Sequence, residues 1–335
     1  MNAPKCQAED YINFLVASPR AVSGTEAARA QPAQDDAPAH EAFTRLLHRL
    51  EPDPDTRWAE VEPRVRRRHG VLVLDDRTLD KPYARKIGRL TRHWSGKHRR
   101  VVRGSNPLTL LWTDGEALLP CDYRLYEQAG AKLRKNDHFR AMLATAQARG
   151  FAPECVVVDR WYASLANLKA LRGHGWRRVT RLKANRLVNP DGTGNRPLAD
   201  CALSPTGTRV HLQGSGFILV FLIVHPDGDR EYWATSDLGL GASTRLKYAE
   251  WAWGIAAYHR GLKQHCGVER ADVRAARAQR NHSNCAIRAL LRLEQHRLAS
   301  GVSWWEAKAD IIREAIRRYS AHPRYTLAPT MVPTA

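Results

Sequence analysis

The sequence predicts an α/β fold in which helices flank a mixed β-sheet. Two short aliphatic runs support this, residues 71–76 (VLVLDD) and residues 155–159 (CVVVD), because continuous apolar runs of this length are typical of strands buried on both faces. A third observation is the helical spacing of leucines in residues 161–171, directly after the second run. Asp159 therefore stands where a strand ends. It is either a helix cap or turn residue, or a polar group at the carboxyl edge of the sheet, where open α/β sheets concentrate their chemistry.

The two acidic strand ends suggest a metal site. Asp76 and Asp159 end runs that can lie side by side in one sheet. Two neighbouring carboxylates repel each other unless a cation lies between them, and Mg²⁺ and Mn²⁺ prefer oxygen ligands. The sequence therefore predicts that Asp76 and Asp159 bind a divalent metal, and that the chemistry is metal-assisted phosphoryl transfer.

The charge balance points to nucleic acid. The chain has 53 Lys and Arg against 34 Asp and Glu, a formal net charge of +19, as expected of a protein that binds a polyanion. An acidic membrane is the weaker alternative, since no basic amphipathic anchor is evident. Within residues 64–103, fourteen basic residues surround only three acids, Asp75, Asp76 and Asp80. We expect phosphates to approach this segment. A solvated basic face is the plainer alternative, but it does not explain why the only acids of the segment cluster at a strand end.

Length and composition exclude several classes of protein. The 335 residues allow one large domain or two, and 43% hydrophobic content with ten tryptophans is typical of a globular chain. The six cysteines include no CxxC pair, so we expect reduced thiols, neither a zinc site nor a disulfide framework. The longest apolar run, residues 217–224, is too short to span a membrane, and the N-terminus shows no secretion signal. We expect a cytoplasmic protein.

Residues 1–65 predict a helical N-terminal region. Residues 11–16, 23–30 and 40–50 have helical patterns, and the last carries an apolar stripe with Arg45, His48 and Arg49 beside it. Two interpretations stay open for this region. It is a DNA-binding bundle of the helix-turn-helix kind, or a bundle whose role is packing alone.

The middle of the chain predicts a definite order of elements. Residues 107–113 and 116–126 are extended stretches around an Asp-Gly turn, residues 135–150 are a helix that ends at glycine, and residues 176–182 are a further strand. Three antiparallel strands, a helix, and then strand, helix, strand is the order of the ribonuclease H-like fold. That fold places metal-binding carboxylates on its first and fourth strands, where Asp76 and Asp159 fall. Residues 184–242, with short apolar runs between glycines and prolines, predict a β-rich insertion.

A long helical stretch follows the insertion. It begins near residue 244 and is predicted to continue through residue 277. Ala256, Arg260 and Lys263 share one face of it by their spacing. Further along, basic residues at i, i+4 and i+7 form either a functional stripe or a solvated one, and these are Arg270, Arg274 and Arg277.

Seven segments in order resemble the DDE-type transposases of bacterial insertion sequences, in the IS-four-like group and its relatives. They are LVLDDRTLDKPYA, TRHWSGKHRRVV, NPLTLLWTDGEA, KNDHFRAML, VVVDRWYAS, TRLKANR and YHRGLKQHCGVERADVRAARAQRNH. The resemblance covers nearly the whole chain. It implies a ribonuclease H-like domain over residues 66–335, interrupted by the β insertion. The implied reaction cuts double-stranded DNA at the element ends and joins the freed 3′-hydroxyl to target DNA, with Mg²⁺ or Mn²⁺ as cofactor. It also implies a homodimer assembled on DNA in a bacterial nucleoid.

The resemblance assigns roles to residues and shows one departure. Asp76 matches the first catalytic acid, Asp159 the second, and Lys263 the DNA-contacting lysine of the C-terminal signature. The third acid, normally a Glu seven residues before that lysine, is Ala256 here, and the signature's Arg and Tyr are also alanines, at 252 and 249. Glu250 is a poor substitute, because six helical residues place it about 9 Å and about 120° away from position 256.

Three hypotheses follow. The first is a DNA transposase in which two metals activate water, and later a 3′-hydroxyl, for in-line attack on phosphate. The second is a transposase-derived DNA-binding protein without catalysis, an inactive element copy or a repressor of active copies, and Ala256 favours it. The third, a structure-selective nuclease on the same fold, is the weakest because the resemblance extends well beyond the acids.

Overall fold

The computed structural model describes residues 4–19, 23–32, 37–51, 54–80, 91–95 (backbone only), 100–126, 133–271, 273–323 and 325. Within these ranges the strands number twelve: β1 Val71–Asp76, β2 Leu79–Asp80, β3 Thr91–Ser95, β4 Arg100–Thr113, β5 Leu119–Tyr126, β6 Cys155–Val158, β7 Arg178–Leu182, β8 Leu187–Val188, β9 Arg196–Pro197, β10 Thr208–Leu212, β11 Gly216–Val224 and β12 Arg230–Thr235. The α-helices of the same ranges are α1 Ala8–Ala17, α2 Gly24–Arg29, α3 His40–Arg49, α4 Pro54–Val61, α5 Lys135–Ala148, α6 Leu165–Gly173, α7 Ala242–His265, α8 Ala276–Ser300 and α9 Trp304–Ala321.

One mixed sheet organises the described chain. Its order is β10-β11-β12-β7-β6-β1-β4-β2, and β3 and β5 also pair with β4. β1 runs antiparallel to β4 and parallel to β6, and β6 runs parallel to β7. The predicted hairpin is β4 and β5, and the predicted strand–helix–strand unit is β6, α6 and β7. The mixed α/β architecture predicted from the sequence is confirmed.

Helices cover both faces of the sheet. Alternate residues of a strand point to opposite faces: Val71 and Val73 belong to one buried cluster with Ile255 of α7, whereas Leu72 and Leu74 belong to another with α5 side chains. Both sets are almost fully buried. The continuous apolar run of β1 is therefore a consequence of burial on two faces.

The predicted insertion joins the central sheet. β12 pairs antiparallel with β7, and β11 and β10 add two further strands at that edge. Their inner side chains form a cluster with Leu168 of α6. β8 and β9 form a small separate ladder. The insertion thus lengthens the sheet, so that residues of β12 come close to the strand ends of the core.

The N-terminal helices pack against α8. Tyr11 of α1 is buried, and its hydroxyl lies 3.0 Å from His282 Nδ1. The apolar stripe of α3 is buried as predicted, while Arg45 and His48 are exposed. α4 was not predicted; it begins at Pro54, where the first helical turn needs no backbone N–H donor. The domain boundary at residue 65 stays a prediction.

The C-terminal helical stretch is interrupted, contrary to the prediction of continuity through residue 277. α7 ends at His265, and Gly267 has a φ of 61°, a left-handed conformation that glycine adopts without steric cost and that ends helices. Arg270 lies in the resulting connection, and Arg277 on α8 pairs with Glu51. These residues do not form one helical stripe. No helix in the described ranges combines the length and apolar character needed to cross a bilayer.

Candidate active site

Two aspartates lie side by side, one at the carboxyl end of β1 and one directly after β6. The parallel pairing of the strands ends at Leu74 and Val158, so Asp75 and Asp159 follow at the same level. Residues at one level on paired strands point to the same face. Both aspartates line one cavity beneath α7. The structure therefore pairs Asp159 with Asp75.

Asp76 points to the opposite face of the sheet and does not line this cavity. Its carboxylate accepts hydrogen bonds from Tyr162 Oη at 2.6 Å, Lys135 Nζ at 2.7 Å and Asn106 Nδ2 at 2.9 Å. Burial acts to raise the pKa of Asp76, but the Lys135 ammonium and these three donors hold it below its usual range. The charge of Asp76 is thus already satisfied by the protein.

α6 begins later than the sequence predicts, and Tyr162 lies in the connection before it. The helix starts at Leu165 with Ser164 as its cap, whose hydroxyl accepts from Asn167 N. Residues 161–164 form the connection after Asp159, and Tyr162 is buried within it. Asp76 therefore ties the end of β1 to the loop that carries Asp159.

The cavity beneath α7 has a volume of about 510 Å³, and three alanines are among the α7 residues that line it. Ala249, Ala252 and Ala256 line it from α7, while Trp233 lies across from them on β12. These are the three positions where the family resemblance implies Tyr, Arg and Glu. The structure thus places all three alanine positions in the same cavity as Asp75 and Asp159. The larger side chains that the resemblance implies would extend into this cavity.

Arg181 and Glu231 extend the site and were missed by the sequence reasoning. Arg181 on β7 lies 3.3 Å from Asp159 Oδ1 and 2.7 Å from Glu231 Oε1. The indole of Trp233 donates to the other oxygen of Glu231 at 2.8 Å. Arg181 follows the last β7 residue paired with β6, so strand alignment alone could have indicated it. Glu250 also lines the cavity.

The electrostatics of Asp75 favour a cation. Burial, then the neighbouring Asp76 and Asp159 charges, raise its pKa to about 7. His259 of α7 is buried with Nδ1 3.8 Å from Asp75 Oδ2. Because oxygen ligands suit Mg²⁺ and Mn²⁺, the donors Asp75 and Asp159 fit such an ion. The described residues contain no group of three or more His, Cys, Asp or Glu side chains arranged to hold a metal.

The predicted DNA-binding residues lie near this site. Lys263 Nζ donates to Thr78 O at 3.1 Å and pairs with Glu269, so it sits against the turn after β1. Arg260 is exposed one turn earlier on α7. Residues 81–90 and 96–99 of the predicted basic segment lie outside the described residues.

Comparison with known proteins agrees with this architecture. A family model for DDE superfamily endonucleases matches residues 8–200. No curated protein sequence matches. The chain is similar to the piggyBac transposase in its synaptic complex with hairpin DNA, with 13% identity and a TM-score of 0.52 over 100% of this chain and 78% of that one.

A second structural similarity is weaker. The Mos1 strand transfer complex matches at 11% identity over 53% of this chain and 58% of that one, with a TM-score of 0.20, too low to bear on the fold. The likeness to piggyBac supports the predicted ribonuclease H-like architecture. Since the family model covers more than half of the sequence, the chain belongs to the DDE superfamily endonucleases.

Proposed function

We propose that this chain is the transposase of an insertion sequence, and that Asp75 and Asp159 hold the divalent metal for phosphoryl transfer on DNA. The observation that carries the proposal is the placement of these two carboxylates at one level, on one face, in one cavity. Asp75 takes the place that the sequence analysis assigned to Asp76. The DDE family membership supports the reaction class.

The residues of the site have different proposed roles. A bound Mg²⁺ or Mn²⁺ would activate the attacking oxygen and offset charge on the reacting phosphate. Asp75 and Asp159 would hold it, and Arg181 beside Asp159 supplies a fixed positive charge for the phosphate oxygens. Arg260 and Lys263 lie further along α7, where they would contact the DNA backbone.

The assembly on DNA is also part of the proposal. A net charge of +19 supports binding to a polyanion, and the piggyBac structure is a complex with hairpin DNA. We propose that two copies of the chain act together on double-stranded element ends and target DNA, as the resemblance to insertion-sequence transposases implies.

A second candidate function has its own supporting observation. Ala256 supplies no carboxylate at the position of the third acid; of the other acids that line the cavity, Glu231 is paired with Arg181, and Glu250 lies six residues earlier on α7. Without a carboxylate at that position, metal binding is weaker and the attacking oxygen is less well aligned, and misplacement by about 1 Å alone can cost about a hundredfold in rate. A DNA-binding protein that cleaves poorly, or that represses active copies, is therefore the alternative.

The test is Mg²⁺-dependent cleavage of a labelled DNA fragment that carries the element's own ends, with DNA binding measured by gel shift. Ala256→Glu serves as the background, so that cleavage is measurable. We expect Asp75→Asn and Asp159→Asn to abolish cleavage in that background while DNA binding persists. Asp76→Asn should keep a substantial part of the cleavage. Loss with Asp76→Asn but not with Asp75→Asn would overturn the assignment.

A further inference from the structure

We propose that His259 is a positioning residue for Asp75, whose Nδ1–H holds one carboxylate oxygen so that the other is presented to the metal. The inference rests on the proposed function, because it concerns the same carboxylate. It adds a residue from α7 that neither the resemblance nor the sequence patterns single out.

His259 is placed for this role by α7. It follows Ala256 by three residues, and its side chain is only 4% exposed, with Nδ1 3.8 Å from Asp75 Oδ2. Nδ1 is buried and has no hydrogen-bond partner among the described residues. A buried polar atom without a partner costs free energy. A small movement would let Nδ1–H donate a hydrogen bond to Asp75.

Thr109 on β4 lies within hydrogen-bond distance of the other ring nitrogen of His259. Its Oγ1 lies 3.3 Å from His259 Nε2, and both side chains are buried. When the hydroxyl donates to Nε2, the proton of the neutral ring is on Nδ1, the nitrogen that faces Asp75. The imidazole therefore offers Asp75 a hydrogen bond without adding a charge that would repel a metal.

The gap of 3.8 Å is longer than a hydrogen bond. A divalent ion keeps Asp75 ionised, and an ionised carboxylate is the stronger acceptor. Contacts of this kind behind a metal ligand orient it, and their removal typically costs about 10- to 100-fold in metal affinity. We expect the hydrogen bond from His259 to shorten when the metal binds, as hydrogen bonds in sites without ligands often do.

Mn²⁺ binding to the full chain, followed by electron paramagnetic resonance, tests the inference. We expect His259→Leu to weaken Mn²⁺ affinity about 10- to 100-fold. His259→Asn should recover most of the loss, because its amide nitrogen can donate from a position close to that of Nδ1. Thr109→Val should weaken affinity less, since it removes only the hydroxyl whose donation to Nε2 favours the Nδ1–H tautomer. Circular dichroism and thermal unfolding show whether each variant is folded.

The outcomes separate the two proposals. If the unmodified chain binds no Mn²⁺, or if Asp75→Asn binds it equally well, the metal site itself is misassigned. If Asp75→Asn loses Mn²⁺ but His259→Leu binds normally, the role of His259 is overturned. Equal losses with His259→Leu and His259→Asn would show that His259 only fills space. If His259→Leu does not fold, Thr109→Val decides the question, and unchanged affinity in that variant contradicts the inference.

Discussion

The Tyr162 hydroxyl donates a 2.6 Å hydrogen bond to Asp76 Oδ1 and so connects the end of β1 to the loop after Asp159. Asp76 also pairs with Lys135 at the start of α5. Three elements around the carboxyl edge of the sheet are therefore joined by one carboxylate on the face away from the cavity. Asp75 and Asp76 are adjacent in sequence, but the first faces the cavity and the second supports the structure around it.

We predict that Asp76→Ala and Tyr162→Phe each lower the free energy of unfolding by about 1–3 kcal/mol, because Asp76→Ala leaves the buried donors around it without an acceptor and Tyr162→Phe removes one of the hydrogen bonds to Asp76. The double variant should be destabilised by less than the sum of the two, since both changes break the same hydrogen bond. Urea unfolding measures all three, with Tyr319→Phe on exposed α9 as a control that should change little. Additive effects would mean that the two residues act independently.

Restoring the third acid should restore cleavage. We predict that Ala256→Glu raises Mg²⁺-dependent cleavage of end-bearing DNA by at least about tenfold, because it adds a carboxylate to the cavity of Asp75 and Asp159. Glu250 lines the same cavity, but position 250 is about 9 Å from position 256 along the helix, so Glu250→Ala should change little. The comparison uses the three proteins at matched concentration. If the unmodified chain cuts well and Glu250→Ala stops it, Glu250 is the third acid.

The stability of the metal-free protein should depend on the protonation of Asp75. Its pKa is raised from 3.8 to about 7 in the folded chain, so the folded state holds a proton that the unfolded state releases between these values. The free energy of unfolding contributed by this group therefore falls as pH rises from about 4 to about 7 and levels off above that range.

Urea unfolding at pH 5, 6, 7 and 8 in the presence of a chelator measures this dependence. Asp75→Asn should remove the fall with pH and be relatively more stable at pH 8, whereas Asp200→Asn, at an exposed position, should follow the unmodified chain. The same slope in the Asp75→Asn protein and the unmodified chain would show that Asp75 titrates normally.

DNA binding should weaken when charge is removed from α7. We predict that Arg260→Ala and Lys263→Ala each reduce the log–log salt slope of DNA affinity by roughly one for every phosphate that the variant no longer neutralises. Lys247 is also on α7 but about 140° around the helix from Arg260, and Lys247→Ala is the matched control. Gel shifts over a range of salt concentrations give the slopes. An unchanged slope in the Arg260→Ala protein would place the DNA on another face.

Much of the fold could be predicted because its signals are local. The aliphatic runs of β1 and β6, the Asp-Gly turn between β4 and β5 and the helical spacing in α5 depend on neighbouring residues alone. The interruption after His265 was missed because a single glycine in a polar stretch does not show whether a helix ends there or continues. The addition of the insertion to the main sheet was also missed, because β12 pairs with β7 across some fifty residues.

By itself, the sequence determined that two strands end in aspartate, that the chain is strongly basic, and that position 256 carries no acid. Only the tertiary structure decided which of Asp75 and Asp76 meets Asp159. Strand side chains alternate, so a pattern with one polar face would have revealed the orientation. β1 is apolar on both faces, because α7 covers one and α5 the other, and its sequence therefore carries no alternation. The packing of distant helices and the register with β6 place Asp75 in the cavity.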